Sequence, residues 1–508
     1  MYIAPNTIVK VFKNCPLDKS YENTILFASV ADQTSYFSSL TGYTFSNNTY
    51  QRVNKGKIRV AMSVESLYNC NYMAFQNSSF ENKWFYAFIN SIEYINNITS
   101  EITYEIDVLQ TWHFDYLLRQ CMVEREHSAT DNPGENTIPE NLELGEYVLS
   151  SFGVSGQLRP YSIVVACTFD SNLLDVTGDL YSGVYAGLCF HAFDNDATGV
   201  AACNAFIQNA VNNGKVNGIV SIFMMAKNMV NSAGSTLPTG RTFTTTKDTT
   251  GALDGYIPRN KKLYTYPYNF LYVTNMQGAA AAYPYEYFST SDCQFTLVGD
   301  MSPNPSVILR PKNYKGLVEN DDEKMVLSGY PQLSFNIDSY KAWLAQNATS
   351  LAVNSMSAAF TAVANPLAGV ASAAGVISQV YEHAIMPNQA RGGAGSSTNC
   401  SLGYQEFAFG HKHIRSEYLS IIDGYFDMFG YACHRVKIPD RNARPEWTYV
   451  KTIGCKIEPT SAFTGSGGVP GDDMEMIENL YNKGIRWWNN PQHIGNYSYN
   501  NAPVSTGT

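Results

Sequence analysis

In EITYEIDVL, Glu101 to Leu109, polar and apolar residues alternate as far as Val108. Ile102, Tyr104, Ile106 and Val108 fall on one side, and Glu101, Thr103, Glu105 and Asp107 on the other. A period of two is the mark of a strand with one apolar and one polar face. The preceding WFYAFINSIEYI, Trp84 to Ile95, joins it through the turn-prone NNITS, so a long antiparallel hairpin is expected. KIRVAMSV adds a half-buried strand in which Ile58, Val60, Met62 and Val64 alternate with Lys57, Arg59, Ala61 and Ser63. So regular a polar face normally meets solvent; in a ring-shaped assembly it could equally line a wet channel.

With 508 residues the chain has material for several cores. Charged residues make up 15% and aromatics 13%, with 35 tyrosines, which suits a β-rich protein that buries surface against partners. The net charge of −10 argues against a protein that grips nucleic acid, and is compatible with a surface that DNA slides past. Ten cysteines, Cys15, Cys70, Cys121, Cys167, Cys189, Cys203, Cys293, Cys400, Cys433 and Cys455, are scattered with no Cys-x-x-Cys pair. They read as free thiols made in a reducing cytoplasm. The start, MYIAPNTIVKVFKNCP, has no apolar stretch behind a basic head, so assembly or lysis rather than secretion is expected to deliver the protein.

The fold class expected is mainly β within α+β, in three segments. Residues 1–150 read as an N-terminal β-rich domain. Residues 151–330 read as a variable middle module, with strands YSIVVACTF and YNFLYV, one helix around Ala201–Val211, and a long polar loop from Thr236 to Gly255. Residues 331–508 read as a C-terminal domain containing an apolar loop, 342–398. In that last segment LSFNID, Tyr404–Ile414 and EWTYVKTIG read as strands. SEYLSIIDGYFDMFG and GDDMEMIENLYNKG read as helices, the latter with Asp472 and Asp473 at its start and Gly484 past its end.

Catalytic patterns are sparse. VEREH brings Glu124, Glu126 and His127 together, and paired carboxylates can serve a glycosidase, but alternating charges more often form the exposed face of a strand. HKH puts His411 and His413 on one side of a strand, without a third metal ligand to name. GGAGSS, from Gly392, lacks a strand-then-helix setting and reads as a hinge. No enzyme, metal or cofactor is expected.

The run from Ala342 to Tyr381 carries no charge. Its apolar residues, Trp343, Leu344, Leu351, Val353, Met356, Phe360, Val363, Leu367, Val370, Val376, Ile377 and Val380, are interleaved with Ala, Ser, Thr and Asn. Pro366 divides it into arms of about 20 residues, near the length of one membrane span. The alanines and asparagines make it weak for insertion, while its small residues suit close helix packing. A buried hairpin, a conditionally exposed membrane-active loop and a permanent span all remain open on these grounds.

NKWFYAFINSIEY, YEIDVLQTWHFD and VEREH, with NKGIRWWNNPQHIGNYS near the C-terminus, resemble the tail knob, or distal tail tube, proteins of small short-tailed bacteriophages that infect Gram-positive bacteria. The resemblance rests on Trp84, Phe85, Tyr86, Asp107, Gln110, Trp112, Arg125, Glu126, His127, Gly484, Trp488, Gly495, Asn496 and Tyr497, among others, and covers about residues 1–150 and 330–508. It implies a tube-forming protomer of β-barrel or β-sandwich domains. Six copies would build a hollow cylinder at the distal tail of the virion, through which double-stranded DNA leaves. It implies a proximal tail (lower collar) protein and a tail-tip plug or wall-degrading enzyme as partners. The apolar loops would plug the lumen and, on release, help open the host membrane. The family's loop is longer and richer in Gly and Met than the one here. Rival readings are a tail-tip cell-wall hydrolase, which would need a catalytic site, and a receptor-binding adhesin, which would need a fibrous repeat or coiled coil.

Overall fold

The computed structural model describes residues 5–48, 56–132, 134–156, 158, 161–175, 180–181, 184–185, 187–229, 234–235, 240–300, 305–330, 332–334, 406–460 and 468–503. These residues are mostly β, with few helices. They fall into two compact units, each assembled from distant stretches of chain.

The first unit comprises Met1–Glu143, Gly255–Leu263 and Ser416–Thr508. Its six-stranded antiparallel sheet runs in the order Gly42–Asn48, Thr7–Lys13, Cys70–Gln76, Phe85–Asn96, Thr99–Ile106, Lys57–Val60. The expected hairpin is present, with Ile92 facing Ile102 and Glu93 facing Glu101. Its apolar face, with Ile102 and Tyr104, packs on Val9, Val11, Ile58 and Met73. On the polar face, Glu101 is clamped by Lys57 at 3.0 Å and Arg59 at 2.9 Å. The alternation ends sooner than the sequence suggests. Val108 starts a helical turn, Val108–Thr111, and Asp107, assigned to the polar face, is buried as its N-cap. KIRVAMSV likewise stops pairing at Val60, because Ser63 opens the turn Val64–Leu67.

A second sheet of this unit is built from both chain ends. Its order is Thr24–Ile25, Ile485–Trp488, Trp447–Ile453, Cys121–Glu126, Tyr431–Lys437. The expected N-terminal and C-terminal tube domains therefore share one ladder. Glu126 and His127 are buried rather than on an exposed face, because Cys121–Glu126 pairs with a strand on either side. The helix Gly471–Lys483 has Asp472 and Asp473 in its first turn and Lys483 in its last, as the helix dipole favours. Ile477, Leu480 and Tyr481 face the core, where they meet Phe12, Tyr72, Trp112 and Trp487.

The second unit comprises Leu144–Asp254 and Tyr264–Arg415. It holds a four-stranded sheet, Tyr147–Val154, Ala408–Ile414, Asn269–Thr274, Ala280–Tyr283, and two five-stranded sheets. On one of these, Tyr161–Cys167 is central, and helix Ala197–Asn212 packs Val200, Cys203 and Ile207 on Ile163, Val165 and Cys167. Asp196 caps that helix by accepting from the Gly199 amide at 2.7 Å. The stretch expected as a long polar loop contains a strand, Gly240–Thr245, paired along its whole length with Cys293–Asp300. Its threonines are β-formers, and a polar edge strand has no apolar alternation to betray it. Among the described residues, no helix is long and apolar enough to cross a membrane.

Candidate functional site

Most of the motif residues lie in an interior seam of the first unit, while Gly495, Asn496 and Tyr497 are exposed at its edge. The Asp107 carboxylate accepts from the Gln110 amide at 3.1 Å and from the Tyr72 hydroxyl at 2.8 Å. Burial nevertheless pushes its pKa up to about 6. Gln110, fully buried, donates to Thr24 Oγ1 at 3.0 Å and to the Ile25 carbonyl at 2.9 Å, and its side-chain Oε1 accepts from Gln33 Nε2 at 3.1 Å. One amide side chain thus orders three segments. Trp112 donates through Nε1 to Asp473 Oδ2 at 2.8 Å, joining the N-terminal turn to helix Gly471–Lys483. Lys83 lies 4.6 Å from the Trp112 ring, and Phe85 meets that ring edge-on at 6.0 Å. Lys10 lies 4.9 Å from the Trp84 ring, and Tyr86 packs on Phe37 at 4.4 Å.

Arg125 donates to the Gly430 carbonyl at 2.6 Å, pairs with Glu140 and lies over Tyr425. Glu126 pairs with Lys437. His127 Nδ1 accepts from the Tyr449 amide at 2.8 Å, which leaves Nε2 to donate to the carbonyls of Phe426 and Asp427 at 3.0 and 3.1 Å. Burial and the Arg444 charge hold its pKa well below the usual range, so the ring is neutral and structural. Glu126 and His127 are thus occupied in pairing, unlike an open acid–base pair.

At the other end of the sequence, Gly484 has φ +101°, and a Cβ there would meet the Tyr449 hydroxyl at 2.1 Å. Asn23 Oδ1 accepts from Trp488 Nε1 at 2.7 Å and from the Tyr497 hydroxyl at 2.8 Å, and Arg486 donates to that hydroxyl at 2.8 Å. Trp447 sits against Trp488 and Tyr497 at 5.0 and 5.3 Å. Gly495, at φ +79°, makes the turn, and Asn496 Oδ1 accepts from the amide and hydroxyl of Ser498.

One cluster escaped the sequence reading. The strap Gly255–Leu263 re-enters the first unit over helix Ser416–Phe429. The Asp423 carboxylate accepts from Tyr256 at 2.8 Å, the Arg259 amide at 2.8 Å, the Asn260 amide at 3.0 Å and Asn260 Nδ2 at 2.6 Å. Arg259 pairs with Asp427 at 2.5 Å, buried Lys262 pairs with Glu140 at 2.6 Å, and Arg444 and Tyr431 donate to Asn260 Oδ1. The available signal was Asp423 and Asp427, four apart, beside Ile422 and Phe426 on the apolar face of a helix.

His411 and His413 lie in Ala408–Ile414 of the second unit. His411 meets the Tyr285 hydroxyl, and His413 is buried with Nδ1 3.0 Å from the Ile414 carbonyl. Among the described residues, no three His, Cys, Asp or Glu side chains gather as a metal site. The plug residues from Trp343 to Val380, including Pro366, and the Gly392 hinge lie outside the described residues.

The comparisons define the class. Residues 5–117 match a family model described as the Caudoviral major tail protein N-terminus, and residues 226–502 match that of the Bacillus phage phi29 tail knob protein gp9 C-terminal domain. The tail knob protein gp9 of Bacillus phage PZA is 26% identical, over 97% of this chain and 98% of its own. That of Bacillus phage phi29 is 25% identical with the same coverage. The solved structure of the bacteriophage C1 tail knob protein gp12 superposes with a TM-score of 0.60 at 14% identity, covering 97% of this chain and 99% of that one, and shares the fold. The fold is that of a tail protein, a structural component of the virion of a short-tailed phage. More narrowly, the chain belongs to the phi29 gp9 tail knob family.

Proposed function

We propose that the protein forms a homohexameric distal tail tube that conducts double-stranded DNA during ejection, and that the apolar run plugs its lumen and then helps breach the host membrane. The observation that carries this reading is end-to-end similarity to proteins named tail knob, at 97% of this chain and 98% of theirs. Segments 1–150 and 331–508 would form the tube wall, with 151–330 as the variable module. The protein would be made in the host cytoplasm and docked between a proximal tail (lower collar) protein and a tail-tip plug or wall-degrading enzyme. Six weakly apolar hairpins bundled in a tube would bury one another, so none need be strongly hydrophobic alone. Leaving the tube, their apolar faces would find a bilayer.

Negative-stain images of the purified full chain test the assembly. Six-fold rings with a central channel are expected, and monodisperse monomers at high concentration would overturn it. A peptide spanning Trp343 to Met386 should leak dye from liposomes; inertness across pH and lipid composition would reduce the loop to a plug.

A further inference from the structure

The nine described cysteines are all buried, and none of them is in a disulfide. Two of them meet inside the seam. Cys121 opens the strand Cys121–Glu126, and Cys455 lies two residues past Trp447–Ile453. The ladder on either side fixes their relation. Met122 faces Ile453, Leu118 faces Ile457, and the Arg119 amide donates to the Lys456 carbonyl at 3.0 Å. Pairing therefore resumes in the same register beyond a single interruption, where Gly454 adopts φ +65°. The two thiols flank that interruption at staggered positions of adjacent strands, close enough for each to shift the other's ionisation. Both belong to the core that holds Tyr116, Val450 and Tyr481, and the Cys455 amide is anchored on Asn482 Oδ1 at 3.0 Å.

We propose that Cys121 and Cys455 are a latent disulfide that closes by exchange with a small-molecule disulfide once the protein leaves reducing surroundings. The thiolate of one cysteine attacks a sulfur of the oxidised small molecule and expels its other half as a thiolate. The second cysteine then attacks the protein sulfur of the mixed disulfide and expels the remaining half. The protons released by the two cysteines end on the two departing thiols, so the protein loses two electrons and two protons and the small disulfide gains them. Burial raises both thiol pKa values, that of Cys455 to about 12, so few thiolates exist in the closed structure. Exchange then requires local opening of the strand ends around Gly454, which exposes the thiols. The closed bond encloses every residue of the second unit in a covalent loop, since Leu144–Asp254 and Tyr264–Arg415 all lie between Cys121 and Cys455. The two ends of the first unit then stay tied when their strands open.

The test uses the purified, reduced full chain incubated with oxidised glutathione, with and without sub-denaturing urea. The samples are acid-quenched, alkylated and digested without reductant. The expected product is a peptide pair joined through Cys121 and Cys455, a chain lighter by two hydrogens, and recovery of both thiols with dithiothreitol. The urea midpoint of the oxidised protein shifts upward, and Cys455→Ser abolishes the shift. Recovery of both cysteines only as alkylated or glutathione-capped forms, even in urea, overturns the proposal. So does a link between Cys167 and Cys189, which face each other across strands of the second unit, in place of the expected one.

Discussion

Replacing Gly484 by alanine tests the seam at its tightest point. Two costs combine there. The backbone sits at φ +101°, a region that L side chains rarely adopt, and holding alanine in it costs about 1–3 kcal/mol. The new Cβ would also lie 2.1 Å from the Tyr449 hydroxyl and 2.7 Å from its Cζ, so the ring must move. Overpacking of that kind costs about 1–3 kcal/mol more. The expected loss is therefore about 2–6 kcal/mol, a large share of the roughly 5–15 kcal/mol that a domain commonly has. Trp84, Trp112, Trp447, Trp487 and Trp488 all lie in the first unit, so tryptophan fluorescence during urea titration reports mainly on it. The two costs separate in a double-mutant cycle. Tyr449→Ala removes the obstructing ring, so Gly484→Ala in that background should cost only the backbone share, a coupling of about 1–3 kcal/mol. A cycle with no coupling, or a Gly484→Ala loss within about 0.5 kcal/mol of zero, would refute the close approach.

Three further outcomes follow from the same seam. Asp107, raised from 3.8 to about 6, binds its proton more tightly folded than unfolded. Its contribution is full below 3.8 and is lost as pH rises through about 6; Asp107→Asn should flatten the stability profile across that window in urea titrations at stepped pH. Trp112→Phe should lower stability by about 1.5–3 kcal/mol, the value of a hydrogen bond to a charged group, and should cost less in an Asp473→Ala background. Asn260→Ala removes one hydrogen-bond partner from each of the Asp423 and Asp427 carboxylates and from the Arg444 guanidinium, for a loss of about 3 kcal/mol. Limited proteolysis should then cut within Gly255–Leu263, where the parent chain resists.

Much of the local structure was legible because it rests on short-range pattern. Alternation marked the hairpin Phe85–Asn96 and Thr99–Ile106, and acidic residues with a trailing glycine bounded Gly471–Lys483. The middle helix was recognised, although it extends from Ala197 to Asn212. Position in the fold was harder to read. Glu126 and His127 look like solvent-facing charges until strands from the far end of the chain flank them. Asp107 continues a polar alternation in sequence but turns inward, because Tyr72 and the next helical turn satisfy its oxygens. The resemblance marked Trp112 and Trp488 as a pair of motifs. Only the structure shows why both occur, since each needs a partner from the opposite end of the chain, Asp473 and Asn23. The strap Gly255–Leu263 has no periodicity at all, and its meaning lies wholly in long-range hydrogen bonds.

The split construction of the first unit has a consequence for synthesis. Asn23 leaves the ribosome early, but its partners Trp488 and Tyr497 follow only after the whole second unit has been made. At common elongation rates that delay is on the order of 20 to 90 s. For that time Trp112 and the Cys121–Glu126 strand lack the C-terminal partners that bury them. The nascent N-terminal segment must therefore persist as an open, sticky sheet, so folding yield should depend on elongation rate and on the holding chaperones present in the cell.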